Sequence, residues 1–497
     1  MAIQPTGSVG NFLSRIESFG NRLPHPTTLF ILFAALVLVL SAVLYWLGYA
    51  AIHPINGETI QTKNLLSIDG LHLILKNTVS NFVNFAPVGT VLVAMLGLGI
   101  AEKSGLLGSG LKVLILKTSP KLVTPMVVFA GVLSSLAADA GYVVLIPLAG
   151  LVFQQAGKHP IAGMAAAFAG VSGGFSANLM VGPIDAVLSG ITNEAAKLVD
   201  SNSEITLLSN YYFIIASTFL ITLLGTLVTE YLVLPNLPYD EDPTKNEERV
   251  HFGERQGLKN TLIFSLFFIL VLLICTVPDD GIMRHPETGS LTRSPFVSGI
   301  VTLIALWAAL SGIIFGLSNR SFKNDRDIVK SMEDTMAMMA GYLVLMFFAA
   351  QFVNYFAWSN LGLITAIKGS LFLQSLSIPG TLLLVIFILF SAGLNLLVGS
   401  ASAKWAVMAP IFVPMLLLTG ISPEVTQAAY RVGDSSTNII TPLMPYFGVV
   451  IAFMQRYDKS LGIGSVLALM LPYSVTFLLA WTLVFAIWFA LGLPFGI

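Results

Sequence analysis

The sequence is poor in charge: of its 497 residues, 10% are Asp, Glu, Lys or Arg, against about 25% in an ordinary soluble domain. Water is therefore not the main solvent of this chain. The net charge of −1 offers no basic surface, which excludes a nucleic-acid partner. A single cysteine, Cys275, cannot form an intrachain disulfide and leaves no thiol-based zinc site. The six histidines are scattered, with no H-E-x-x-H and no i, i+4 pair, so a metalloenzyme finds no support. G-x-x-x-x-G-K-[ST] is missing too, so ATP-driven transport lacks its phosphate loop within the chain, and no organic cofactor is expected.

What remains is 55% hydrophobic and arranged in long apolar runs. The first, 28–51, is too long for a signal-peptide core and no small-x-small site closes it, so it is read as a retained span. Nine crossings are expected, at about 28–50, 84–101, 161–190, 211–234, 260–277, 297–317, 336–356, 424–453 and 465–493. Two further apolar stretches, 122–156 and 377–419, are interrupted by small and polar residues, at 134–141 and 399–404. Each arm is short for a crossing, and two short arms around a polar break fit a re-entrant hairpin. Seventeen of the 25 lysines and arginines then fall on one side, six on the other, and only Lys404 and Arg431 at membrane depth. Excess positive charge marks the cytoplasmic side, which places the N-terminus inside and, after nine crossings, the C-terminus outside. The charged run 320–334 is read as a solvated or interfacial helix.

The halves repeat one another. Asp139 precedes Pro147 by eight residues and Pro147 precedes Pro160 by thirteen; Ser402, Pro410 and Pro423 keep the same spacings. Gly173-Gly174-Phe175-Ser176-Ala177-Asn178 and Gly433-Asp434-Ser435-Ser436-Thr437-Asn438 share G-x-x-S-x-N, and Pro183 and Pro442 follow. The fold class is thus an all-α polytopic membrane protein, with nine transmembrane helices plus two re-entrant hairpins in two inverted repeats. The first repeat spans 1–240, with hairpin 122–156 and broken helix 161–190. A cytoplasmic linker spans 241–260, and the second repeat spans 261–497, with hairpin 377–419 and broken helix 424–453.

Glycine weakens helix, and Ser and Asn satisfy freed backbone groups and present oxygens. A break of this kind at membrane depth is tolerated where it lines a cavity, and its free carbonyls and helix ends hold ions or anionic groups. Ser176, Asn178, Asp434, Ser436 and Asn438 are the expected coupling-ion residues, with Na+ or H+ as the ion. Ionisable groups inside spans are functional by default; here they are Asp139, Asp185, Lys404, Arg431 and Asp434. Arg431 and Asp434, three apart, either pair with each other or divide between an anionic substrate group and a coupling cation. Lys404 either attracts a substrate carboxylate, with the Trp405 indole stacked on a ring, or pairs with a neighbouring acid.

At these residues the chain resembles the aminobenzoyl-glutamate transporter (AbgT) family over essentially its whole length. The stretch 395–442, with S-A-K-W, I-S-P and Y-R-V-G-D-S-S-T-N-I-I-T-P, carries the likeness most specifically. The resemblance implies functional positions at Asn395, Ser402, Trp405, Pro423, Arg431, Asp434, Pro442 and Asp185. It also implies a homodimer in the bacterial inner membrane and ion-coupled movement of p-aminobenzoyl-glutamate or related folate catabolites. Some members are regarded as exporters of sulfonamide antimetabolites. A Na+ site would draw on Asn178, Asn395, Asp434 and Asn438. The doubled S-x-N also resembles the sodium sites of divalent-anion/sodium symporters, which makes a sodium-coupled di- or tricarboxylate symporter the alternative. An intramembrane aspartyl protease would need G-x-G-D, and Arg431-Val432-Gly433-Asp434 lacks the first glycine. A channel is disfavoured by the paired hairpins, which suit alternating access. The expected partners are therefore a small aromatic carboxylate, the lipid bilayer and a second copy of the chain.

Overall fold

Lipid leaves every backbone N–H and C=O to be satisfied within its own segment, so apolar runs of this length fold as helices. The computed structural model describes residues 26–52, 57–116, 118–136, 141–237, 252–290, 294–441, 444 and 446–497. Asp139 and Pro442 lie outside the described residues. The chain opens with α1 (Pro26–Trp46), followed by α2 (Ile68–Val83) and α3 (Ala86–Lys103), which together form one apolar stretch of 36 residues. Next come α4 (Leu106–Leu116), α5 (Val123–Leu133) and α6 (Ile146–Gln155), with a 3-10 turn, Ser134–Leu136, after α5 and a π-helical turn, Gly141–Leu145, before α6. Helix α7 (Pro160–Phe168) ends in a second π-helical turn, Ala169–Gly173, and non-helical backbone leads to α8 (Pro183–Ala196). Proline disfavours helix in the residue before it, which keeps Gly182 extended. Helix α9 (Tyr211–Val228) closes the first half.

The second half begins with α10 (Phe252–Thr276), α11 (Ile300–Asn319) and α12 (Asp325–Met338), continuing into α13 (Ala340–Trp358). Helices α14 (Leu361–Ser375) and α15 (Gly380–Asn395) meet at a 120° bend. A short turn returns the chain as α16 (Ala401–Leu417), followed by α17 (Pro423–Asn438), α18 (Phe447–Met454) and α19 (Ile463–Ala490).

Among the described residues, seven helices are long and apolar enough to cross a membrane, or eight if the bent pair is one span. The nine expected crossings exceed this because 161–190 and 424–453 are interrupted; α7, α8, α17 and α18 run for 9, 14, 16 and 8 residues. Helices α2 and α14 fall where only connections were expected, since Asp69, Lys76, Lys368 and Gln374 dilute their apolar pattern. A two-stranded antiparallel ribbon, Ala50–Ile52 with Thr59–Gln61, was likewise unforeseen. The run 320–334 does contain a polar helix, α12, begun by Asn324, whose side chain accepts from the Asp327 N–H at 3.1 Å.

Small residues let helices approach closely. A Cβ on Gly97 of α3 would lie 2.0 Å from the Ala305 carbonyl of α11, and one on Gly433 of α17 2.4 Å from the Ile388 carbonyl of α15. Helix α10 buries only Gly257, Thr261 and Thr276 and turns the rest of its surface outward. Helix α16 packs on α8, and α17 packs on α15, α19 and α8. Elements of the two halves are therefore interleaved at the centre of the molecule.

Candidate substrate and ion site

The two G-x-x-S-x-N segments meet. The Ser176 N–H donates to Ser435 Oγ at 3.1 Å, and Asn438 Nδ2 donates to the Ser172 carbonyl at 3.3 Å. Each asparagine also holds the break of its own half: Asn178 Nδ2 donates to Ser135 Oγ at 2.8 Å, and Asn438 Oδ1 accepts from Asn395 Nδ2 at 2.8 Å. The freed polar groups of each interruption are thus satisfied by neighbouring breaks, as low dielectric requires.

A cavity of about 380 Å³ opens beside this junction, within the range of about 300–1,000 Å³ typical of small-molecule sites. Ser135 and Tyr142 reach it from around the first hairpin break, and Gly399, Ser400, Ala401 and Ser402 from the second. Ser172, Phe175 and Ile184 come from the first broken helix, Asn438, Met444 and Tyr446 from the second, and Met95 and Tyr342 from α3 and α13. Tyr142 and Tyr446 stack with ring centroids 4.3 Å apart at 6°. The walls are mainly apolar and aromatic, with a few hydroxyls and one amide.

Two buried ion pairs lie behind the walls. Arg431 and Asp434, which the sequence allows to pair with each other, each take a different partner. Arg431 Nη2 donates to Asp185 Oδ1, joining α17 to α8. Asp185 Oδ2 accepts from the Gly182 N–H at 2.6 Å and so caps α8, with its charge favourable at the helix N-terminus. Lys404 Nζ lies 2.6 Å from Asp434 Oδ1 and also donates to Asn395 Oδ1. Tyr430 Oη stands 3.1 Å from the same Asp434 oxygen. Asp434 Oδ2 and Arg431 Nε are buried without hydrogen-bond partners.

Over this geometry the comparisons fall into place. A family described as "AbgT putative transporter family" matches residues 11–497. The chain belongs to the AbgT family. It is 35% identical over 496 residues to the p-aminobenzoyl-glutamate transport protein of Escherichia coli (strain K12), covering 100% of this chain and 98% of that protein. The solved YdaH transporter of Alcanivorax borkumensis has a TM-score of 0.92 at 52% identity, covering 95% of this chain and 100% of that one. MtrF of Neisseria gonorrhoeae, whose structure is described as illuminating a class of antimetabolite efflux pumps, has a TM-score of 0.92 at 48% identity, covering 96% and 97%. This AbgT chain is therefore a multi-span membrane transporter.

In this AbgT chain the positions singled out from the sequence do not form one cluster. Asn395, Asp434 and Asn438 converge with Lys404: Asn395 Nδ2 donates to the Asp434 carbonyl at 2.6 Å, Thr437 Oγ1 at 2.9 Å and Asn438 Oδ1 at 2.8 Å. The oxygens of Asp434, Asn395 and Asn438 are the hard donor set an alkali cation takes, and the orphaned Asp434 Oδ2 fits such a group. A bound cation would supply positive charge at this carboxylate. Ser176 and Asn178 do not join that set. They line a separate cavity of about 10 Å³ with Asp185 and Arg431, room for about one water. Arg431 and Asp185 pair there and leave no net charge to hold a cation, so Asn178 lies apart from the oxygens around Asp434. Ser436 Oγ donates to the Val432 carbonyl at 2.6 Å.

Ser402 lines the main cavity, whereas Pro423 sits buried in the first turn of α17, preset for helix. Trp405 lies apart from the main cavity. Its ring is fully buried and stacked on Tyr430 at 4.5 Å, and its Nε1 donates to Thr192 Oγ1 at 2.9 Å. From Thr192 the contacts continue to Gln427 Oε1 at 2.6 Å, and Gln427 Nε2 donates to Asn210 Oδ1 at 3.0 Å. The enclosed indole joins α16, α8 and α17. The aromatic wall is instead made by Tyr142, Tyr446, Tyr342 and Phe175, which sequence reasoning missed because no repeated spacing marks them.

Proposed function

We propose that this AbgT chain is an ion-coupled secondary transporter of p-aminobenzoyl-glutamate or a related aryl carboxylate, bound in the 380 Å³ cavity. The observation that carries the reading is the composition of that cavity's boundary. Both interrupted hairpin stretches and both helix breaks contribute to it, and two buried ion pairs stand behind it, one within the second half and one joining the halves. A movable hairpin closing over a ligand would change access on one side while the other stays sealed, as alternating access needs. The aromatic wall suits the aminobenzoyl ring, and the hydroxyls of Ser135, Ser172, Ser400 and Ser402 suit amide and carboxylate oxygens. The relative named for p-aminobenzoyl-glutamate supports this substrate, and the antimetabolite pump supports export of ring-bearing analogues such as sulfonamides.

In this reading the chain is built as nine crossings and two re-entrant hairpins in two inverted repeats, 1–240 and 261–497, joined by the linker 241–260. It works as a homodimer in the bacterial inner membrane, with its N-terminus cytoplasmic and its C-terminus periplasmic. Na+ or H+ is the coupling ion and acts at Asp434; no catalytic step is involved. The test is reconstitution in liposomes with labelled p-aminobenzoyl-glutamate under separately imposed sodium and proton gradients, with Asp434→Asn as control. Movement driven by one gradient and lost in the variant is expected. Sodium-driven movement of succinate or citrate, with p-aminobenzoyl-glutamate ignored, would overturn the substrate assignment and favour the dicarboxylate alternative.

A further inference from the structure

The Lys404 ammonium occupies two of the oxygens a coupling cation would take, beside the unpartnered Asp434 Oδ2. It is 4% exposed and donates to Asp434 Oδ1 and Asn395 Oδ1. Asn395 cannot turn its carbonyl away without breaking the three contacts its amide nitrogen makes to Asp434, Thr437 and Asn438. One carboxylate in a dry site does not hold two cations, because their repulsion at contact distance is weakly screened there. A sodium ion can therefore enter only as the ammonium leaves.

The surroundings limit where Lys404 can go. Its stem borders an apolar groove with Phe30, Leu394, Val407 and Met408, where an unpaired ammonium has no compensation. Ser400 lies one helical turn before Lys404, on the same face, and edges the main cavity. Movement toward Ser400 would bring the charge to where a substrate carboxylate sits.

We propose that Lys404 is a tethered cation that holds the coupling site until sodium displaces it, and that once displaced it becomes the counter-charge for the anionic substrate. Resting on the ion-coupled reading above, this adds a means of coupling. Sodium frees the lysine that the anion needs, and the anion holds the lysine away from the oxygens that sodium needs. Binding of the two is therefore cooperative, and by linkage each raises the other's affinity by the same factor.

The test uses purified full-length protein, with sodium titrated against choline at constant ionic strength and binding read from radiolabelled sodium and from the thermal unfolding midpoint. In the wild type, saturating p-aminobenzoyl-glutamate is expected to lower the sodium dissociation constant at least about fivefold. Lys404→Gln removes the competitor, so sodium should bind on the order of tenfold tighter without substrate, and substrate should no longer change it. Lys404→Arg should keep the competition. The double variant Lys404→Gln, Asp434→Asn removes both charges and should fold with no sodium response; a single variant recoverable only in sodium also supports the proposal. Unchanged or weaker sodium binding in a folded Lys404→Gln protein overturns it, as does a wild type in which substrate leaves sodium affinity unchanged. If the wild type ignores sodium while substrate counterflow persists, sodium coupling itself fails, a result distinct from loss of the lysine's role.

Discussion

Replacing Asp185 with asparagine would leave the Arg431 guanidinium buried without its counter-charge. The side chains of this pair are 3% and 4% exposed, so little water can take the place of the lost carboxylate. Breaking a buried pair from one side costs about 3–5 kcal/mol. The cap on α8 adds little, because an asparagine Oδ1 at this third helical position can still accept from the Gly182 N–H; only the favourable charge at the helix N-terminus, about 0.3–1 kcal/mol, is lost. Pairing therefore dominates, and Asp185→Asn should destabilise by about 3–5 kcal/mol. The double variant Asp185→Asn, Arg431→Met removes both charges and should recover most of that loss, since a buried pair and an apolar replacement are often nearly equal. The assay is equilibrium unfolding in mixed SDS and non-ionic detergent, followed by tryptophan fluorescence and closed as a double-mutant cycle. A cost below about 1 kcal/mol for Asp185→Asn would refute the reasoning, because it would mean that Arg431 is hydrated from the small cavity beside it.

Four further outcomes are expected. Trp405→Phe should lose about 1 kcal/mol of stability with its hydrogen bond to Thr192 while leaving substrate KM within about twofold; a large rise in KM at unchanged stability would put the indole back in the binding site. Tyr142→Ala and Tyr446→Ala should each weaken binding of aryl carboxylates by roughly two- to tenfold, the scale of one aromatic contact, with aliphatic dicarboxylates unaffected in competition assays. Gly433→Ala, whose new methyl group would meet the Ile388 carbonyl at 2.4 Å, should force α17 off α15 and destabilise by about 1–3 kcal/mol or more, seen as lost monodisperse protein on size exclusion. Glu230→Gln breaks the pair with Lys158 at 2.5 Å, but those side chains are 34% and 23% exposed, so its stability cost in the same detergent unfolding assay should stay below about 1 kcal/mol.

The helix interruptions were legible in the sequence because they leave a local trace: prolines at fixed intervals, and glycine beside serine and asparagine in an apolar run. The partners of the charged residues left no such trace. Arg431 and Asp434 share a helix face in the sequence, yet each pairs elsewhere, with Asp185 more than two hundred positions away and with Lys404 across the second hairpin. Only the fold decides between a neighbour on the same helix and one brought in from another element. The packing of Trp405 was illegible for a similar reason, because its contacts with Tyr430 and Thr192 come from other elements of the fold. Helices α2 and α14 were overlooked because polar residues interrupt their apolar pattern.

The contact between the two sequence repeats bears on how the chain can be divided. Ser176 rests on Ser435, Asn438 on the Ser172 carbonyl, Arg431 on Asp185, and Tyr446 on Tyr142. Neither half alone can complete these contacts, so each would expose unpaired charge and open backbone where its counterpart belongs. The two halves behave like partners in an obligate complex that happen to share one polypeptide. A chain severed between Leu237 and Phe252 should still assemble when both fragments are made together, and neither fragment should persist when made alone.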